Sequence, residues 1–204
     1  MKLKKIDKPK KVLAGSKLAG GNPETKRVDN DYYATNPKAL NMLLDKHPIK
    51  GSCLEPCVGG GHLAEVIKSR VDKNCVCLDL VDRGYPNTIV HDFLTWKFPK
   101  KFDCIITNPP YSMGEEFIRK SLSLLKSGGT CAMFLKIQFL EGAKRKELFD
   151  KFPPKYIYVF RNRMATWNSG NEFDPNGKHW STTMCHAWFV WEKDSTTEPV
   201  VRWL

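Results

Sequence analysis

What the chain lacks narrows its class before any motif is read. No apolar run approaches the roughly 18 residues of a membrane-spanning helix. The longest candidate, Cys131 to Leu140, is interrupted by Lys136. The amino terminus has lysines but no apolar segment behind them, which argues against a secretory signal. The seven cysteines are an odd number, scattered as Cys53, Cys57, Cys75, Cys77, Cys104, Cys131 and Cys185. Neither the Cys53/Cys57 pair nor the Cys75/Cys77 pair meets a second ligand set at zinc-site spacing, so no structural metal is expected. Most of these thiols fall in apolar runs that read as buried strands, where a free cysteine acts as a small hydrophobe. A reducing, cytoplasmic compartment is the simpler account. Internal repeats are absent, and no linker divides the body.

What is present describes one globular domain with a tail. The 204 residues are 41% hydrophobic, 11% aromatic and 27% charged, enough for a single buried core. Thirty-three basic residues against 22 acidic ones give a net charge of +11, and the excess is unevenly placed. Across residues 1–27 nine bases, from Lys2 to Arg27, face only Asp7 and Glu24. The division expected is a basic, disordered arm at 1–28 and a folded domain at 29–204. The arm is either a solvated tail that aids solubility or a phosphate-binding arm, because basic blocks attract nucleic acid without reading sequence.

Periodicity then places the elements. Asn36 and Pro37 open a helix to about Lys46, an N-cap followed by proline at the first helical position. Strands are predicted at Ser52–Pro56, Cys75–Leu80, Thr88–His91, Asp103–Thr107, Thr130–Lys136, Tyr156–Phe160 and Thr182–Trp191. Helices are predicted after the Gly-rich turn, with Leu63, Val66 and Ile67 on one face, at Gly114–Lys126 and at Leu140–Phe152. This alternation predicts a mostly parallel, doubly wound α/β sheet, with the last strand returning antiparallel.

Four segments carry chemistry, all at predicted strand ends. In Glu55-Pro56-Cys57-Val58-Gly59-Gly60-Gly61-His62 a strand ends in an acid and three glycines turn the chain into a helix. Glycines let backbone approach a ligand closely. The dinucleotide pattern is met only in its weaker form, since position 64 is Ala. Glu55 would repel a pyrophosphate and suits a cationic group such as an amine; a plain tight turn is the alternative. Asp79 lies 20 residues after Gly59, where such folds place an acid on ribose hydroxyls. It could instead cap a turn, and Asp82 competes for the role. Asp92 and Phe93 could bracket an adenine, or be turn residues.

Asn108-Pro109-Pro110-Tyr111 follows the buried strand Asp103–Thr107. Each residue before a proline is pushed into extended conformations, and neither proline can donate. The loop therefore offers an amide oxygen, a bare carbonyl and an aromatic face. That set fits a planar molecule bearing an NH2 group.

Asn108-Pro109-Pro110-Tyr111 resembles the signature of S-adenosylmethionine-dependent methyltransferases acting on exocyclic or amide nitrogens, especially DNA adenine-N6 methyltransferases. The Glu55-Pro56 and Gly59-Gly60-Gly61 turn looks like their cofactor motif. Asp31-Tyr32-Tyr33-Ala34-Thr35-Asn36-Pro37 is similar to the segment that folds over the methionine part of the cofactor in that family. The stretches Asp79 to Tyr85, Phe139 to Gly142 and Trp188 to Trp191 look like small bacteriophage members. The resemblance runs from about residue 31 to the carboxyl terminus, and the tetrapeptide is its specific part.

It implies a class I, Rossmann-like methyltransferase fold, S-adenosyl-L-methionine as cofactor, DNA as partner, and the cytoplasm of a bacterial or phage-infected cell. The cofactor residues implied are Tyr33, Thr35, Asn36, Pro37, Glu55, Pro56, Gly59, Gly61, His62, Asp79, Asp92, Phe93 and Asn108. Asn108, Pro109, Pro110 and Tyr111 would form the catalytic loop, with Tyr111 stacking on a base flipped from the duplex. Methyltransferases for RNA bases and for release-factor glutamines share the tetrapeptide, and a nucleic-acid-binding module that has lost catalysis is the rival from another class. Many relatives carry a separate target-recognition domain, for which this chain has no room. The long connection Arg161 to Trp180 reads as irregular, and it interleaves Arg161, Arg163 and Lys178 with Trp167, Phe173 and Trp180. It is either a substrate-binding loop, led by Arg161, Arg163 and Trp167, or a hairpin tip whose aromatics cover the sheet edge. So short a reader implies a short or relaxed target sequence.

Overall fold

The computed structural model describes residues 33–204. The basic arm at 1–28, together with Asp31 and Tyr32, lies outside the described residues. The order of elements is β1 (Tyr33–Thr35), α1 (Pro37–Lys46), β2 (Cys53–Glu55), α2 (His62–Arg70), β3 (Val76–Asp79), β4 (Ile89–Val90), β5 (Phe102–Thr107), α3 (Gly114–Leu124), β6 (Leu125–Lys136), α4 (Lys146–Lys151), β7 (Tyr156–Val159), β8 (Thr166–Asn168), β9 (His186–Glu192) and β10 (Val200–Trp203). α1 starts where the sequence placed it. The Asn36 side chain accepts the Lys38 N–H at 2.9 Å, and Pro37 takes a position whose N–H would be orphaned anyway.

Eight strands form one sheet in the order β10-β7-β9-β6-β5-β2-β3-β4. All neighbours are parallel except β9, which runs antiparallel to both β6 and β7. The chain runs outward from β2 to β3 and β4, then restarts on the other side with β5 and β6. The crevice above β2 and β5 is thus the switch point where open α/β sheets bind ligands. Strand side chains alternate between two cores. Cys53, Cys104, Ile106, Phe134 and Trp188 face α1 and α2, while Leu54, Ile105, Met133 and Phe189 face α3 and α4. Two buried indoles pin the layers. Trp188 donates to the Ala39 carbonyl under α1, and Trp191 to the Phe152 carbonyl after α4, both at 2.9 Å.

The structure departs from the sequence reading in four places. The helix expected over 140–152 is reduced to α4, because Gly142 sits at φ +113, outside any helical conformation. The strand expected from Thr130 begins at Leu125, directly after the helix, which ends at Leu124 and not at Lys126, and its pairing with β5 has a register irregularity. The segment 161–180 is not free of regular structure, since β8 pairs antiparallel with β1, Ala34 opposite Trp167. Finally, β9 is the antiparallel strand but not the last one: β10 follows and extends the sheet beside β7. The three missed strands, β1, β8 and β10, are three or four residues long and lack a clean apolar alternation.

Candidate active site

The carboxyl ends of adjacent parallel strands bring Glu55 (β2), Asp79 (β3), Thr107 with Asn108 (β5) and Lys136 (β6) to one edge of the sheet. β9, running the other way, starts at this edge, so His186 lies opposite Lys136 in register.

The Gly-rich turn is held by the acids around it. Asp79 accepts the Gly59 N–H at 2.8 Å through one oxygen and the Val81 N–H at 3.1 Å through the other. Its turn-capping role is therefore realised. Glu55 is fully buried and accepts the Cys57 N–H at 3.1 Å through Oε1. Burial pushes the Glu55 carboxyl well above the usual range, with Asp79 adding repulsion. Gly61 has φ +88, and a Cβ there would lie 2.1 Å from the Tyr85 ring, so only glycine fits between the turn and that ring. His62 opens α2 and is kept below its ordinary pKa by burial. The Trp167 ring packs edge-on against it, 5.4 Å between centroids.

β1 closes over the site from the other direction. The Asn108 Nδ2 donates to the Tyr33 carbonyl at 2.9 Å. A carbonyl can only accept, which fixes the amide's orientation and turns Oδ1 inward. Pro109 is buried, and Pro110 is exposed with an extended backbone that feeds a 3₁₀ turn at Tyr111–Met113. The Tyr111 hydroxyl lies 3.2 Å from His186 Nε2, and the Lys136 ammonium lies over the Tyr111 ring at 4.9 Å. Burial raises the Tyr111 pKa, so it stays a phenol.

Six buried side-chain polar atoms among the described residues have no hydrogen-bond partner, and five belong to this edge: Thr35 Oγ1, Glu55 Oε2, His62 Nδ1, Thr107 Oγ1 and Asn108 Oδ1. The sixth, Ser121 Oγ, belongs to α3. Buried polar groups are nearly always satisfied by protein, water or ligand, so this edge carries donors and acceptors that a polar ligand could use. A ligand carrying an ammonium, hydroxyls and an amine matches these atoms.

The other expected residues sort differently. Asn36 and Pro37 are occupied in starting α1. Phe93 is buried against Phe117 and Phe98, while Asp92 accepts the Leu94 N–H at 2.9 Å. Arg161 is exposed, and Arg163 donates to the Thr183 carbonyl at 2.9 Å. Together with Asn162, Cys185 and His186 they line a groove beside the Tyr111 loop. Lys178 is exposed, Trp180 bonds the Asn171 carbonyl, and Phe173 stacks on His179. A second groove, on the Ser112 side of Tyr111, is lined by Lys144 and Arg145. Sequence reasoning missed Thr107, Lys136, His186, Lys144 and Arg145. Only the strand-end positions of Thr107 and Lys136 were visible signals. Among the described residues no cluster of His, Cys, Asp or Glu is arranged to hold a metal ion, and no helix is long and apolar enough to cross a membrane.

No family model and no curated protein matches the sequence. Solved structures do match in three dimensions. A protein of Listeria monocytogenes described as a class I S-adenosylmethionine-dependent methyltransferase superposes with a TM-score of 0.54 at 14% identity, over 82% of this chain and 61% of that one. The fold is that of class I S-adenosylmethionine-dependent methyltransferases. The present chain therefore spans less than two thirds of the Listeria protein's length. A modification subunit assigned to a type I restriction enzyme of Vibrio vulnificus matches with a TM-score of 0.55 at 14% identity, over 85% of this chain and 46% of that one. A protein of Pyrococcus horikoshii described as an RNA methyltransferase matches with a TM-score of 0.55 at 12% identity, over 76% and 82%. A fold shared by proteins described in such different terms does not choose among substrates.

Proposed function

We propose that the protein transfers a methyl group from S-adenosylmethionine to N6 of adenine in DNA, on a base turned out of the duplex, within a short or relaxed target sequence. The observation that carries this reading is Asn108, whose amide is anchored through nitrogen to Tyr33 and whose buried oxygen has no partner. Glu55 would hold the amino-acid part of the cofactor and Asp79 its ribose, with Thr35 and His62 close by. When bound, the cofactor supplies an electrophilic methyl group on a sulfonium.

Asn108 Oδ1 accepts one hydrogen of the substrate amine. The Pro110 carbonyl is already engaged by the Met113 N–H at 2.9 Å, which leaves the Pro109 carbonyl for the second. Two acceptors in this arrangement localise the nitrogen lone pair, which adenine otherwise shares with its ring. Positioning then does most of the work, and no strong base is needed, because the nitrogen loses a proton readily once alkylated. Tyr111 offers its ring as a stacking platform, an interaction worth about 1–3 kcal/mol per base. Lys136 lies over that ring, and Arg161, Arg163, Lys144 and Arg145 line the two grooves beside the loop with positive charge suited to a phosphate backbone. The likeness of this chain's fold to the Vibrio protein, described as a modification subunit of a type I restriction enzyme, supports DNA. The Pyrococcus match supports a second reading, an RNA base as substrate.

The test is transfer of labelled methyl to a panel of DNA, RNA and protein. Label recovered as N6-methyladenine from DNA is the expected result. Label in RNA alone moves the assignment to the second reading, and cofactor binding without transfer to any polymer overturns both.

A further inference from the structure

We propose that His186 is a positioning residue that holds Tyr111 in the orientation a substrate base must meet. The proposal rests on the reading of Tyr111 as the stacking platform, and it adds a residue that no sequence motif singled out.

His186 is buried, 3% exposed, and sits at the first position of β9. Its Nδ1 lies 3.0 Å from the Met164 carbonyl, which can only accept, so Nδ1 carries the proton. In the neutral ring Nε2 is then an acceptor, and the Tyr111 hydroxyl at 3.2 Å donates to it. The ring is neutral at physiological pH because burial outweighs the Met164 contact, with Lys136 and Arg163 adding repulsion toward a second proton. Phe134 stacks behind the imidazole, 4.9 Å between centroids at 23°, and prevents it from rotating. The Tyr111 and His186 rings lie at 29° with centroids 6.0 Å apart.

Tyr111 opens a short turn whose next two residues are exposed, while its own ring is half-buried against the core and held by its neighbours. Here its far end is tied to an immobile acceptor and the Lys136 ammonium lies over its ring. The platform is thus ordered before a base arrives, which removes an entropic cost from base capture and from the reacting complex. Met164 belongs to the segment that carries Arg161 and Arg163. One chain of hydrogen bonds therefore links the basic groove to the catalytic loop.

Three variants and one spectroscopic measurement test this. His186→Phe keeps a ring between Phe134 and Tyr111 but removes the acceptor. It should lower kcat about tenfold, the value of one lost hydrogen bond, with cofactor affinity unchanged. Tyr111→Phe should lose a similar factor, and the double variant should lose no more than either alone. His186→Gln returns an acceptor oxygen and should recover most of the rate. Nitrogen NMR of the free protein labelled at histidine should show His186 as the Nδ1-protonated tautomer, with an Nε2 signal that moves in Tyr111→Phe. Multiplicative losses in the double variant, or an Nε2-protonated ring, would overturn the proposal. A wild-type chain that methylates nothing refutes the functional reading, whereas the NMR comparison needs no substrate and decides the hydrogen bond separately.

Discussion

Toward β3 and β4 the carboxyl edge presents acids that the fold has drawn inside. Glu55 is fully buried and Asp79 nearly so, and both accept backbone N–H groups of the glycine turn. Toward β6 and β7 the same edge presents bases that remain partly or wholly in water, Lys136, Arg161 and Arg163. Enclosed acids act at short range on one small cation whose shape they can match. Exposed bases act at longer range on a polyanion whose position varies, and salt screens them. The Asn108–Tyr111 loop lies where the two regions meet, which is where the proposed transfer from a small cationic donor to a polymer would occur.

The largest expected effect tests that meeting point. Asn108→Ala should reduce methyl transfer by about 10²–10³-fold, the usual cost of one preorganised donor or acceptor at a reacting group. Cofactor affinity, measured by calorimetry, should change little, and substantial residual turnover would detach catalysis from the loop.

The next effect is a pH dependence on the basic side. Burial holds the His186 ring down at about 4, against an ordinary value near 6.5. Between those values the unfolded chain binds the proton and the folded one does not, so stability must rise with pH across that window. The contribution is about 3 kcal/mol, fully present above the unfolded pKa and gone below the folded one. Thermal unfolding from pH 4 to 7 should show a steep loss toward acid that His186→Phe flattens.

On the acidic side the sign reverses. The Glu55 pKa is raised, so its ionised form costs stability at neutral pH. Glu55→Gln should therefore raise the melting temperature of the free protein while weakening cofactor binding by about tenfold to a hundredfold, the range for a hydrogen bond to a charged group. A variant that is less stable and binds equally well would dissolve the contrast between the two regions.

The smallest effect belongs to a single exposed base. Arg163→Ala should lower nucleic-acid affinity a few-fold and reduce the log–log salt slope by about one unit, with cofactor affinity intact. Trp167→Ala should behave differently, because that ring rests on His62 beside the glycine turn and its loss should reach the cofactor as well.

These contrasts were unevenly legible in the sequence. The α1 cap, the glycine turn and the Asn108–Tyr111 loop could be read because local chemistry dictates them: a capping side chain, a positive φ, two consecutive prolines. Asp79 was singled out by spacing, and its bond to Gly59 shows that the turn itself uses the carboxylate. β8 and β10 were not legible, since each is a brief strand whose partner, not its own pattern, makes it a strand. His186 stayed hidden for the same reason. A single histidine at a strand start acquires meaning only when Met164 and Tyr111, 22 and 75 residues away, close around it.

The position of β9 has a consequence for how the protein is made. β9 inserts between β6 and β7, although it is synthesised after both. Until residues 186–192 have left the ribosome, β6 has a bare edge that carries Phe134 and Leu135, and β7 has no partner in the sheet. A nascent chain can assemble β2 to β6 early but must wait for its closing segment. A chain cut after residue 185 would expose an unpaired apolar edge of the kind that recruits other chains. Translation stalled before residue 186 should thus yield aggregates or chaperone-bound chains.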